Sequence, residues 1–202
     1  MPKQVALFGY SGHAFLACEI LYDTNRSILG YFDLSRKENN PYKLPYLGMD
    51  ESLDKRRIPA YTDYFVSIAQ NQQRHLVSEK MNGIWGKPIN IIHPTSWIAR
   101  KARIGQGVLL GPQSSISSLV EIGNGVICNI ASIVEHGCQL GDFVHIAPGA
   151  KIGHHVSIGS GAYIGSNALV KPGITIGKNV IVEAGTIVTE SIEDLNILEK
   201  NP

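Results

Sequence analysis

Cysteine is scarce in this chain. Cys18, Cys128 and Cys138 are the only three, an odd number with no Cys-x-x-Cys spacing. That usage excludes a disulfide framework and the common structural zinc sites, and it points to a reducing compartment, the cytoplasm. An excess of charge is also missing: eighteen Lys and Arg against seventeen Asp and Glu leave a net +1. A protein that coats nucleic acid or another polyanion is therefore not expected. Met1-Pro2-Lys3-Gln4 leads into only five apolar residues, Val5 to Gly9. That run is too short for a secretory leader or a membrane span, so membrane insertion is not expected either. What is present is a hydrophobic content of 44% with 17% charged residues over 202 positions. Those proportions describe a packed chain of one large or two small domains rather than a disordered one.

Twenty-one glycines are spread unevenly, and their distribution marks a boundary near residue 90. Before it, Gln4 to Phe8 reads as a short buried strand, followed by the turn Gly9-Tyr10-Ser11-Gly12-His13. Ala14 to Tyr22 then has helical spacing, Ser27 to Phe32 is a second apolar run ending at Asp33, and Ser35 to Pro45 reads as loop. Tyr64 to Ile68 is a third strand, and Gln70 to Met81 a second helix. Alternation of strands and helices favours parallel βαβ units.

After the boundary a different rule holds. Stepping by six from Ile98 to Val188 meets sixteen residues, fifteen of them Ile, Leu or Val and the other Cys128. The position four later is also restricted, to small or aliphatic residues such as Val108, Ser114, Val120, Ala150 and Ala162. A period of six with one large and one smaller inward residue is the signature of a hexapeptide β-helix. Three such units close a triangular coil of eighteen residues, and the uninterrupted run holds about five coils. The tail from Glu190 to Pro202 reads as a short terminal segment.

Histidine carries the chemistry. His136, His145, His154 and His155 fall within twenty positions of mid-helix. His136 and His154 differ by eighteen, one coil, so their side chains should leave the same corner about one strand spacing apart. His145, nine from each, belongs to a different position of its coil, and a second subunit would be needed to bring it near His136. An imidazole titrating near neutrality suits a general base. In the first domain, amides of the Gly9–His13 turn at a helix start can receive a phosphate, and Gly9 and Gly12 permit tight backbone. Asp33, at a strand end, is placed to accept from a hydroxyl. The turn is not the Gly-x-Gly-x-x-Gly fingerprint, so no dinucleotide cofactor is indicated.

Several motifs together are similar to the NeuD/PglD-type sugar acetyltransferases. Phe8-Gly9-Tyr10-Ser11-Gly12-His13 resembles that family's glycine turn, and Tyr31-Phe32-Asp33 its acid-ending strand. Ile68-Ala69-Gln70-Asn71 with Arg74, and Ile92-His93-Pro94-Thr95-Ser96-Trp97-Ile98, match its segments before and into the helix. Asn129 to His136 and Gly141 to Gly149 match its catalytic segment. The resemblance implies a Rossmann-like βαβαβ nucleotide-sugar-binding domain over 1–92. A left-handed parallel β-helix of hexapeptide repeats over 93–202 would bind acetyl-CoA and carry catalysis. It implies His136 as general base, Ser11, Gly12, His13, Asp33 and Asn129 toward the nucleotide sugar, and His145, His154, Ser166 and Ala184 toward acetyl-CoA. It further implies a homotrimer with sites between subunits and no metal cofactor. Where the family places an acid after the catalytic histidine this chain has Gly137, and where it places a glycine this chain has His154.

The expected activity is acetyl-CoA-dependent N-acetylation of a nucleotide-linked amino sugar. O-acetylation of a sugar hydroxyl is the rival within the same chemistry. A trimeric zinc enzyme of the γ-carbonic-anhydrase kind, ligated by histidines among His136, His145 and His154, is a second class. A retired nucleotide-sugar-binding protein is a third.

Overall fold

A computed structural model describes residues 4–49, 58–59, 62–195 and 197–198. The chain divides into two units, Met1–Ile91 and Ile92–Pro202.

The first unit is a four-stranded parallel sheet. Its strands are β1 (Val5–Phe8), β2 (Ile28–Phe32), β3 (Tyr46–Gly48) and β4 (Asp63–Val66), in the order β3-β2-β1-β4. Helix α1 (Gly12–Asp23) follows β1, and α2 (Asn71–Trp85) follows β4. All four residues of β1 are buried, as a central parallel strand requires. Twelve of the chain's fifteen aromatic residues fall in this unit, and they form much of its interior. Phe8 stacks on Phe32 with ring centroids 4.8 Å apart and meets Tyr64 and Trp85 edge-on. Strand β3 was not expected. It directly follows the stretch Ser35 to Pro45 that reads as loop, has three residues none of which is fully buried, and pairs at the sheet edge. Helix α2 runs four residues beyond Met81, because its end is set by Gly86 at φ +94° rather than by loss of apolar spacing.

The second unit obeys the six-residue rule from Ile92 to Val188. Two-residue strands alternate with four-residue corners over that range, and each strand within it pairs in parallel with the one eighteen residues later, as Ile133–Val134 does with Lys151–Ile152; the last pairing, Ile181–Val182 with Ile197–Leu198, spans sixteen. The result is three parallel faces of six, five and seven strands, visited in that order from Trp97–Ile98 onward. The fold is a left-handed parallel β-helix. The aliphatic of every hexad is the second residue of its strand and points inward, and Leu110, Ile116, Cys128, Val134, Ile146 and Ile152 are fully buried. The residues four later fill the corners of the same core. The coil reaches past the run visible in sequence: Ile91–Ile92 and Ile197–Leu198 both belong to the seven-stranded face, and Ile192 bridges to Ile176. The tail thus continues the helix.

One residue per corner is left-handed. Positive φ recurs every six positions from Gly107 to Gly185, shared between glycines and residues such as Gln113, Phe143, His155 and Asn167. An L residue there costs about 1–2 kcal/mol relative to the right-handed region. These positions stack at intervals of eighteen, and large side chains sit over glycines: Phe143 covers Gly125, His155 covers Gly137, and Asn167 covers Gly149.

Candidate functional site

Two sets of candidate residues emerge, one in each unit. In the first unit, the turn from β1 into α1 borders a recess of about 290 Å³ lined by Gly9, Tyr10, Ser11, Asp33, Lys37 and Gln73, among others. That is the small end of the range for ligand sites. Gly9 has φ +88°, and a Cβ there would run into Ile68, so glycine is required. Gly12 opens α1 with no atom near the place of a Cβ; its expected conformational role is not seen, and its effect is to keep the helix start open. Ser11 occupies the N-cap position without its side chain bonding the helix.

Asp33 is fixed by three donors. Its carboxylate accepts from the Tyr10 amide at 2.9 Å, from its neighbour Leu34 at 2.7 Å, and pairs with Lys37 Nζ at 2.8 Å. Lys37 escaped the sequence reading, since a single Lys in a polar loop carries no periodic signal. His13 is half-buried and does not line the recess. Burial and the positive charge of Arg74 pull its imidazole down to about 4, so it stays neutral at physiological pH. Arg74 itself is buried and ties the start of α2 to the end of the preceding loop. Its guanidinium donates to the carbonyls of Ile68 and Ala69 and to Asn71 Oδ1. That gives the Ile68-to-Arg74 motif a structural purpose.

In the second unit the candidates occupy two different corners. His136, His154 and His155 share the corner that follows the six-stranded face. The rings of His136 and His154 stack at 5.0 Å and 14°, as the eighteen-residue spacing requires. His155 stands perpendicular to both, 5.2 Å from His136 and 5.5 Å from His154. His155 was in the sequence cluster without a role; the signal was its eighteen-residue offset from Gly137, whose missing side chain leaves the volume that the His155 ring fills. The ring of His136 is exposed and makes no hydrogen bond among the described residues. The carboxylate of Glu135 accepts from the His154 amide at 3.0 Å, so that backbone donor is engaged. Asp142 accepts from the Asn124 amide at another corner.

His145 lies elsewhere. It opens a strand of the seven-stranded face, is 6% exposed, sits edge-on to Tyr163 at 5.2 Å, and has Nε2 3.3 Å from Asn129 Nδ2. Asn129, Ser166 and Ala184 belong to the corner following that face, and Gly165 lets the chain pass close against the Ala184 amide. Within one protomer, then, the structure gathers His136 with His154 and His155 but not with His145. A zinc centre of His136, His145 and His154 does not form among the described residues. The cysteines are all free and buried; burial pushes Cys18 and Cys128 up to about 12 and raises Cys138 as well. None is poised as a nucleophile. A surface groove follows the five-stranded face past Gly123, Gly141 and Gly159 and includes none of the histidines. No helix among the described residues is long and apolar enough to cross a membrane.

A nucleotide-type α/β unit followed along the chain by a left-handed β-helix of hexapeptide repeats defines the fold class. Comparison with known proteins narrows this. Residues 4–81 match the PglD N-terminal domain family, residues 131–166 the bacterial transferase hexapeptide family, and residues 155–190 the hexapeptide repeat of succinyl-transferase. Over these segments the chain is similar to the NeuD/PglD-type sugar acetyltransferases. It is 40% identical over 97 residues to GDP-perosamine N-acetyltransferase of Escherichia coli O157:H7, a match covering 46% of this chain. It spans 43% of that relative's length. Among solved structures it is similar to a histidine-to-asparagine variant of perosamine N-acetyltransferase from Caulobacter crescentus in complex with CoA and GDP-perosamine. That likeness has a TM-score of 0.91 and 29% identity, over 96% of this chain and 92% of the other. The acetyltransferase domain of PglB from Neisseria gonorrhoeae in complex with acetyl coenzyme A gives a TM-score of 0.87 and 27% identity, over 96% and 94%.

Proposed function

We propose that this protein is an acetyl-CoA-dependent N-acetyltransferase acting on a nucleotide-linked amino sugar of the 4-amino-4,6-dideoxy type, in surface polysaccharide or glycan synthesis. The observation that carries the reading is the exposed His136 ring, unengaged by hydrogen bonds, at a corner of the β-helix. In this mechanism the sugar amine binds neutral and its lone pair attacks the thioester carbonyl. His136 takes the proton that the nitrogen sheds, the C–S bond breaks, and the proton passes to the departing thiolate, leaving the amide and CoA thiol. An amine carries its own nucleophilic lone pair and tolerates an imidazole without an adjoining carboxylate. A hydroxyl acceptor would ask for a stronger base, and with Gly137 beside His136, Glu135 held on the His154 amide and Asp142 at another corner, N-acetylation is favoured over O-acetylation.

In the first domain (1–92), Ser11, Gly12 and Asp33 hold the nucleotide sugar, with His13 acting from behind as a neutral spacer against Arg74. In the second (93–202), Asn129 lies near the acceptor group, while His145, His154, Ser166 and Ala184 serve acetyl-CoA, Ser166 and Ala184 through their backbones. A homotrimer unites the two corners, placing His145 and Asn129 of one protomer beside His136 of the next. The placement of these residues on different edges of a single coil supports that assembly, and the three free thiols fit a cytoplasmic site of action.

The test is thiol release from acetyl-CoA with GDP-perosamine and a panel of UDP-, dTDP- and GDP-linked amino sugars. Turnover on one 4-amino sugar is expected; silence across the panel, with nucleotide bound and CoA not, would indicate a binding protein. Asp33→Ala is expected to raise KM for the nucleotide sugar about 10- to 100-fold, the worth of one hydrogen bond to a charged group, with kcat little changed. Unaltered saturation by the sugar would remove Asp33 from the site.

A further inference from the structure

We infer that His136, His154 and His155 form a three-imidazole site for a divalent transition-metal ion of the zinc class, which competes with the base function of His136. One nitrogen from each ring lies within 4.8 Å of the other two. A tetrahedral zinc ion with bonds of about 2.0–2.1 Å needs its nitrogens about 3.3 Å apart. The remaining closure is small enough for side-chain rotation, and His136 and His155 are exposed and able to turn.

The third ligand is already set. His154 is half-buried, and its Nδ1 is shielded from solvent with no hydrogen-bond partner. A shielded, unpaired ring nitrogen is unfavourable and is relieved by a metal bond. The backbone under the three rings is fixed between adjacent coils. The His155 amide donates to the His136 carbonyl at 3.0 Å, the Gly173 amide to the His154 carbonyl at 2.9 Å, and the His154 amide to Glu135. Gly137 provides the room without which the His155 ring would be displaced. With His136 and His155 exposed, the corner leaves a fourth position for water, the arrangement of an accessible rather than a closed metal site. Bound there, the ion takes the lone pair that His136 needs for proton transfer, so it acts as an inhibitor and not as a cofactor. The inhibition rests on the acetyl-transfer reading above; the binding does not.

The experiment uses the full chain, freed of metal, titrated with Zn²⁺ by calorimetry and with Co²⁺ by visible absorption. One ion per chain is expected, with the intense visible band of four-coordinate cobalt. His155→Asn retains a residue suited to the left-handed backbone at φ +55°. It should weaken zinc binding by about 100-fold or more, at the upper end of what outer-shell changes alone cause. His154→Asn should do the same. Absence of saturable binding at one per chain, or superimposable titrations for parent and variants, would overturn the site. In the acetyl-transfer assay, zinc should inhibit the parent reversibly on chelation, while His155→Asn turns over and resists zinc. Equal inhibition of both would overturn the competition. If acetyl transfer is itself missing, the two titrations decide the metal site alone.

Discussion

Replacing His136 with alanine is expected to lower acetyl transfer by about 10²–10⁴-fold, the usual contribution of a positioned general base, while the β-helix stays folded. The two consequences separate because of where the residue sits. Its backbone carbonyl accepts from the His155 amide and its ring is exposed. An alanine keeps the hydrogen bond and loses only surface ring contacts with His154 and His155. Single-turnover thiol release, read beside thermal unfolding, checks both parts. A variant that melts like the parent and turns over at the parent rate would remove His136 from its role.

Introducing an acid directly after His136 is expected to harm this protein. Gly137→Asp should destabilise the second unit by about 2–4 kcal/mol. About 1–2 kcal/mol comes from an L residue at φ +70° and the rest from crowding, since the new Cβ points into the His155 ring. The cause is shared with a neighbour one coil away, so the effect should not be additive. In the His155→Gly background the crowding disappears and only the backbone cost remains. Denaturant unfolding of the two single variants and the double variant measures the coupling, expected at about 1–2 kcal/mol. Zero coupling would mean that Gly137 and His155 are independent choices.

The β-helix was readable because its inward residues return at a fixed interval, and burial permits few substitutes for Ile146 or Val134. The stacking of His136 on His154 followed from the same arithmetic. The left-handed corners were hidden, because half of them carry residues other than glycine and because the conspicuous glycines, such as Gly105 and Gly123, directly follow the strands and are needed instead for close passage of adjacent coils. The part played by His155 was easily passed over: its one signal was the eighteen-residue offset from Gly137, whose missing side chain leaves the volume that the ring fills. In the first unit the central strands announced themselves by apolar runs, whereas β3 contributes three half-exposed residues at an edge. The Glu135 contact with the His154 amide was beyond reach, since the sequence names a donor without saying what it meets.

The eighteen-residue coil also restricts how such a chain can change length. Removing or adding eighteen residues in the second unit leaves every column aligned and merely shortens or lengthens the prism. A six-residue change keeps the alternation of strand and corner, yet it rotates everything downstream by one face. A deletion of six between His136 and His154 would carry His154 to a neighbouring edge, dissolving the stack while the interior remained fully aliphatic. Natural variation in length should therefore be quantised in whole coils wherever function spans two of them, and free to move in thirds of a coil elsewhere.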